Sequence, residues 1–217
     1  MTNKIDKNIK KITFLLLIVC IITSKMAFSQ EEKDRKVQFK FDLNFGTSLF
    51  DNSNNFSVFA ANEGHRSFAS AIFGLKWKRQ GIDLCLDGYA GNTIYFSGIR
   101  ENNYLCNVKL NLVDYINITD NFFISSMIGA GLLISDPTLE LNYKLYDLDK
   151  RLGISANLGL AVYYQFNKNF IINLKVNCFV GRLKKVNLPK EFSTYKNYMN
   201  SNVIAATDIS LGWSLMI

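Results

Sequence analysis

The chain predicts an all-β fold, an eight-stranded antiparallel up-and-down transmembrane β-barrel, on three observations. Eight stretches alternate apolar and polar residues with a period of two. The connections between them run long, short, long, short, long, short, long. An export leader stands in front of them all.

The leader comes first. Lys4, Lys7, Lys10 and Lys11 form a basic start, residues 12–22 are almost entirely apolar, and Ala27 and Ser29 occupy the small-residue positions ahead of Gln30. A membrane-crossing helix needs about 20 apolar residues, more than the uncharged stretch 12–24 supplies, so removal is expected rather than anchoring. Cys20 lies inside the apolar run, which argues against a lipid anchor at that thiol. Residues 1–29 are therefore read as a signal peptide and 30–217 as one barrel domain. The leader carries five lysines against Asp6, so four of the formal +7 charges leave with it and the remainder is +3. That basic balance is a mark of secretion and gives no reason to expect nucleic acid as a partner.

The first run, 37–49, sets Val37, Phe39, Phe41, Leu43 and Phe45 against Gln38, Lys40, Asp42 and Asn44. Successive strand side chains point to opposite faces, so one face is oily and the other wet. A second run opposes Phe73, Leu75 and Trp77 to Gly74, Lys76 and Lys78, and a third opposes Ile82, Leu84 and Leu86 to Asp83, Cys85 and Asp87. In the fourth, Tyr104, Cys106, Val108, Leu110 and Leu112 face away from Asn107, Lys109 and Asn111. The fifth, 124–132, is weaker, because Ser126 breaks the oily face and Met127 the wet one. Runs 154–166 and 170–180 alternate on even numbers and 205–217 on odd numbers.

Two short turns set the expected register. Gln80-Gly81 reads as a two-residue hairpin loop with glycine at positive φ, placing Trp77 opposite Leu84 and Lys78 opposite Asp83. Asn167-Lys168-Asn169 reads as a three-residue loop, with Asn169 able to take the left-handed conformation. It pairs Val162 with Leu174 and Tyr163 with Asn173.

Which face points outward follows from size and position. An eight-stranded barrel interior is only wide enough for side chains to fill, whereas every run carries large apolar residues on its oily face. Trp77, Phe166, Phe170 and Trp213 collect at the short-turn end, and Phe45 and Tyr104 toward the other, as in interfacial girdles. The oily face is expected to meet lipid, with the long connections outside the cell.

The closing run DISLGWSLMI alternates through Ile209, Leu211, Trp213, Leu215 and Ile217 up to its last residue. In this the chain resembles the small outer-membrane β-barrels of Gram-negative bacteria, the OmpA-like and porin-family eight-stranded barrels. Members commonly end in Phe or Trp where this chain has Ile217. The resemblance implies recognition by the outer-membrane insertion machinery and residence among outer-membrane lipid and lipopolysaccharide. Barrels of this kind serve as pores, adhesins, lipid-modifying enzymes, anchors or secretion parts, so the fold does not choose the role.

Little chemistry is on offer. His65 is the only histidine and falls in the first long connection, so an imidazole metal site is not available. Pairing it with Ser67 or Ser70 has no surrounding motif, and GISANLG at 153–159 lies within an alternating run and lacks the G-x-S-x-G of a nucleophile elbow. No cofactor is implied, and Cys85, Cys106 and Cys178 read as small apolar fillers, with one disulfide as the lesser option.

The wet face carries Lys40, Lys76, Lys78, Lys109 and Lys175 with Asp42, Asp83, Asp87 and Asp208. A paired polar plug is expected, because an unpaired buried charge costs several kcal/mol; the alternative is a narrow porin for small solutes or ions. The last long connection, 183–202, sets Lys184, Lys185, Lys190 and Lys196 against Glu191 alone and interleaves them with Phe192, Tyr195 and Tyr198. It is either an ordinary solvated loop or a grip for phosphates or sugars, as of anionic surface glycolipid or polysaccharide, or for envelope proteins. The function expected is a structural or surface-interaction role without catalysis.

Overall fold

Alternation becomes the two faces of a closed sheet. The computed structural model describes residues 37–50, 65–95, 99–167, 169–192 and 202–217, and the leader lies outside them. Its strands are β1 (Val37–Phe50), β2 (His65–Trp77), β3 (Gln80–Tyr95), β4 (Ile99–Asn117), β5 (Phe122–Leu141), β6 (Lys144–Asp147), β7 (Arg151–Gln165), β8 (Phe170–Leu183) and β9 (Val203–Met216). The sheet order is β4-β3-β2-β1-β9-β8-β7-β5-β6, and an antiparallel β4–β5 ladder closes the ring of eight long strands. Closure pairs every strand on both sides, which a sheet crossing a bilayer requires. The four-residue β6 stands outside the ring, adding to the outer end of β5.

The oily face is outside. Phe39, Phe45, Tyr104, Leu110, Ile128 and Leu211 are all exposed, while Lys40, Asp42, Asn44, Asn107, Lys109, Asn173 and Asp208 are buried in the interior. Aromatic rings mark the short-turn end of the belt: Phe41 meets Trp213 edge-on at 6.1 Å and Tyr164 meets Phe166 at 4.9 Å. Phe45 and Tyr104 hold the other end. Belt and girdles together are the exterior of a transmembrane barrel.

The Asn167–Asn169 turn has the expected register, Val162 with Leu174 and Tyr163 with Asn173. The Asn167 side-chain oxygen accepts from the backbone N–H groups of Asn169 (3.0 Å) and Phe170 (2.9 Å). The other turn needs correction. Trp77 pairs with Gln80 and Gly74 with Asp83, so the loop is Lys78-Arg79, and Lys78 does not oppose Asp83. Lys78 itself takes the positive φ, 55°. Gly81 serves a different purpose: a Cβ there would come 2.8 Å from the Leu75 carbonyl oxygen and 3.1 Å from the Tyr115 ring. The turn moves two residues and the partner of Trp77 four, from Leu84 to Gln80, an even number, so the faces stay as expected.

Several expected loops are strand instead. β3 and β4 pair out to Tyr95 and Ile99, and β5 runs on to Leu141 before folding back through Asn142 (φ 50°) and Tyr143 (φ 64°) into β6. Once the ladder leaves the membrane its polar residues continue to pair, even past Pro137 of β5, which stands opposite Asn103. Phe123, Ser125 and Met127 supply an inward face for the weak fifth run. His65 stands at the start of β2, paired with Leu49, rather than in a connection.

Candidate functional site

The lumen is built in three layers. The middle one is polar because the inward positions at mid-strand are Lys40, Asp42 and Asn44 on β1, Asp83 and Asp87 on β3, Asn107, Lys109 and Asn111 on β4, Asn173, Lys175 and Asn177 on β8, and Asp208 on β9. Lys40 Nζ lies 2.6 Å from Asp83 Oδ2 and 3.4 Å from Asp42 Oδ2. Lys175 Nζ approaches Asp42 at 3.6 Å, and Lys109 pairs with Asp87. Asp208 faces no lysine at ion-pair distance among the described residues; it accepts from Ser48 Oγ (2.6 Å), Tyr89 Oη (3.0 Å) and Asn177 Nδ2 (3.1 Å). Amides fill the rest, with Asn157 Nδ2 donating to Asn111 Oδ1 at 2.9 Å and Ser155 Oγ to Asn107 Oδ1 at 2.9 Å.

Apolar layers close both ends of this middle. Toward the long connections, Phe50, Phe68, Tyr89, Leu105, Leu133, Phe179 and Ile204 form one buried cluster. Tyr89 centres it, with ring centroids 5.2 Å from Phe68, 5.7 Å from Phe50 and 5.6 Å from Phe179. Its hydroxyl reaches down to Asp208, so one side chain ties the cap to the charge network. Toward the short turns, Val113, Tyr115, Phe123, Met127, Tyr163, Ile171 and Met216 form the second cluster, with Phe123 stacked on Tyr163 at 4.6 Å.

Lys76 and Lys78, read with the lumen set, lie elsewhere. Both are half-buried at the short-turn rim. Lys76 Nζ sits over the rings of Tyr115 (4.7 Å) and Phe123 (4.9 Å), an arrangement in which aromatic faces take the place of a carboxylate. Lys40 leans on the same layer, 5.5 Å from the Tyr115 centroid.

The aromatic caps are what the sequence reading missed. Their signal was parity: Phe179 shares odd numbering with Asn173, Lys175 and Asn177, and Tyr89 shares it with Asp83 and Asp87. Each is an apolar residue on the wet face, at the end of its run.

Among the described residues the cysteines are free: Cys85 is in the lumen, where its sulfur accepts from Asn111 Nδ2 at 3.1 Å, and Cys106 and Cys178 are half-buried. Ser70 donates to Asp87 (2.7 Å) inside the barrel. Among the described residues no group of three or more His, Cys, Asp or Glu side chains could hold a metal ion.

Outside the barrel mouth, Ile99, Leu139, Leu148, Val186 and Phe192 form a third apolar cluster. Phe192 is fully buried, edge-on to Tyr146 at 5.1 Å, and a 3₁₀ turn over 190–192 carries it. The first part of the last connection is therefore packed, with Lys184, Lys185 and Lys190 exposed upon it. Tyr195, Lys196 and Tyr198 lie outside the described residues.

A closed ring of eight strands, apolar outside and filled inside, defines the class: a small β-barrel of the outer-membrane type. Comparison with solved structures agrees. The chain is similar to Ail, the attachment invasion locus protein of Yersinia pestis, solved in complex with the heparin analogue sucrose octasulfate; TM-score 0.54, 11% identity, 84% of this chain and 99% of that one. It is also similar to a major outer membrane protein from Thermus thermophilus, with TM-score 0.53, 9% identity, and 83% and 99% covered. No family model and no curated protein matches the sequence.

Proposed function

We propose that this chain is exported by its leader, residues 1–29, inserts into the outer membrane as a barrel, and acts there without conducting solutes and without catalysis. The observation that supports this reading is the Tyr89 layer. Phe50, Phe68 and Phe179 surround that ring across the lumen; beneath it Lys40 pairs with Asp83 and Lys109 with Asp87, and Asp208 accepts from Ser48, Tyr89 and Asn177. A narrow porin needs a continuous wet path with binding weak enough to release the solute. Two apolar layers in series work against that path. The test is single-channel recording in a planar bilayer: the parent protein gives no unitary openings. Repeated openings of one size at moderate voltage would establish the porin instead.

A barrel of this kind works from its outer face. Lys184, Lys185 and Lys190 are exposed and form a basic surface, and the sequence goes on with Tyr195, Lys196 and Tyr198; this composition suits anionic polysaccharide, with ammonium groups for sulfate or carboxylate and aromatic rings for sugar faces. The Yersinia pestis protein was solved with a sulfated sugar, which supports asking the same of this surface. Individually each exposed charge contact is worth roughly 0 to 1 kcal/mol, so binding must use several and weaken with salt. Replacing Lys185, Lys190 and Lys196 with Gln and measuring heparin retention at low and high salt tests it. Retention that ignores both the substitutions and the salt would remove polysaccharide from the account.

A further inference from the structure

We propose that the outer end of β8 is a binding site for a phosphorylated glycolipid of the outer leaflet, of the lipid A type, held from the side of the barrel. The inference rests on the reading that the barrel sits in an outer membrane, and names a ligand site on its lipid-facing wall.

On β8 the even-numbered side chains point outward, and Leu174, Val176 and Val180 continue the apolar belt up to Arg182. Arg182 is exposed on that same lipid-facing side, paired across the ladder with Ile154 on β7 and Val203 on β9, both exposed. A cation thus stands in an apolar row. One step further out, the Lys184 N–H donates to the Leu152 carbonyl (2.8 Å), which sets Lys184, also exposed, directly above Arg182. Below them Val180 lies between Ala156 and Ala205, whose small side chains leave a shallow apolar surface under the two charges. An open cleft of about 480 Å³ lies here, walled by Leu152 and Ile154 and edged by Arg182, Lys184 and Asn202.

Charge separates this place from the outer end of β5. On β5 the outward residues beyond the belt are Asp136 and Glu140, and each already has a cation: Lys150 at 3.3 Å and Arg100 at 3.9 Å. Among the described residues, neither Arg182 nor Lys184 has a carboxylate partner. Two cations without a carboxylate partner among the described residues, set over an apolar wall at the height where acyl chains give way to headgroups, match a ligand with acyl chains below and phosphate above. Short turns face the periplasm in barrels of this class, so this end is the outer leaflet, where the phosphate sits on a sugar.

The test is a lipid titration of the full mature chain in detergent micelles, read by native mass spectrometry. The probes are lipid A with both phosphates, the same lipid dephosphorylated, and phosphatidylglycerol. Arg182→Gln and Lys184→Gln should each weaken binding of phosphorylated lipid A about fivefold, and together about thirtyfold. Arg182→Lys should keep most of it, and Arg100→Gln, three strands away on β4, should change nothing. Equal affinity for the dephosphorylated lipid, or unchanged affinity in the double variant, would overturn the site. Phosphatidylglycerol binding as tightly as lipid A would overturn the glycolipid assignment and give the cleft to a phospholipid. Each variant is checked for the gel shift of a folded barrel. A parent protein without that shift would instead overturn the barrel reading beneath the proposal.

Discussion

Lys40 on β1 reaches past β2 to Asp83 on β3, 2.6 Å from Nζ to Oδ2, because the β2 residue between them is Gly74. A Cβ at Gly74 would overlap the Asp83 carboxylate and lie 3.0 Å from Lys40 Cε. The glycine is a window through which two strands that do not pair share a buried charge contact.

Gly74→Ala should therefore push this pair apart and lower stability by about 1 to 3 kcal/mol, the usual cost of overfilling a packed site. Lys40→Met removes the cation outright and leaves Asp83 and Asp42 facing each other's field, at about 3 to 5 kcal/mol. Urea unfolding in micelles measures both. If Lys40→Met unfolded at the parent's midpoint, the buried network would contribute nothing to holding the barrel.

Tyr89 has two separable jobs. Tyr89→Phe keeps the ring among Phe50, Phe68 and Phe179 but withdraws a donor from Asp208, costing about 1 to 3 kcal/mol. Tyr89→Ala also empties the cap and should cost about 3 to 5 kcal/mol. The order matters more than the values: equal losses would mean the ring adds nothing to packing.

Depth along β4 predicts a gradient. Leu110 is 59% exposed in the middle of the belt and Tyr104 is 64% exposed toward its outer end. Leu110→Arg should destabilise the barrel in lipid vesicles by about 2 to 4 kcal/mol, and Tyr104→Arg by about 0 to 1. Equal costs at the two depths would argue against a bilayer around this wall.

A ring with no free edge resists detergent until heated. Unheated protein should run at a different apparent mass from boiled protein on a denaturing gel. Identical mobility, with the protein recovered in the soluble periplasmic fraction, is the outcome that would sink the membrane assignment.

How much could be read without coordinates depended on the range of the interaction. Period-two alternation is local, so the strands, the two faces and the outward belt were legible from Phe39, Leu110 or Leu211 and their neighbours alone. Turn position was less so. Gly81 carried a turn signal, yet the turn formed two residues earlier, since the site facing Tyr115 leaves no space for a Cβ and Lys78 can take a positive φ beside the solvent. The polar continuations of β3, β4 and β5 were read as loops for a related reason: outside the membrane a strand no longer needs an oily face, so its pattern fades while its ladder continues.

The sequence by itself determined the kind of fold, the face that meets lipid and the sign of nearly every lumen charge, because each is fixed by which residue stands at which parity. Only the tertiary structure decided which charges meet, that Asp208 is served by Ser48, Tyr89 and Asn177, that aromatic layers cap the lumen, and that Arg182 edges an open cleft beside Leu152 and Ile154. Those are facts about residues brought together from distant strands. Curling the sheet into a ring sets the distances between them, and no spacing along the chain encodes it.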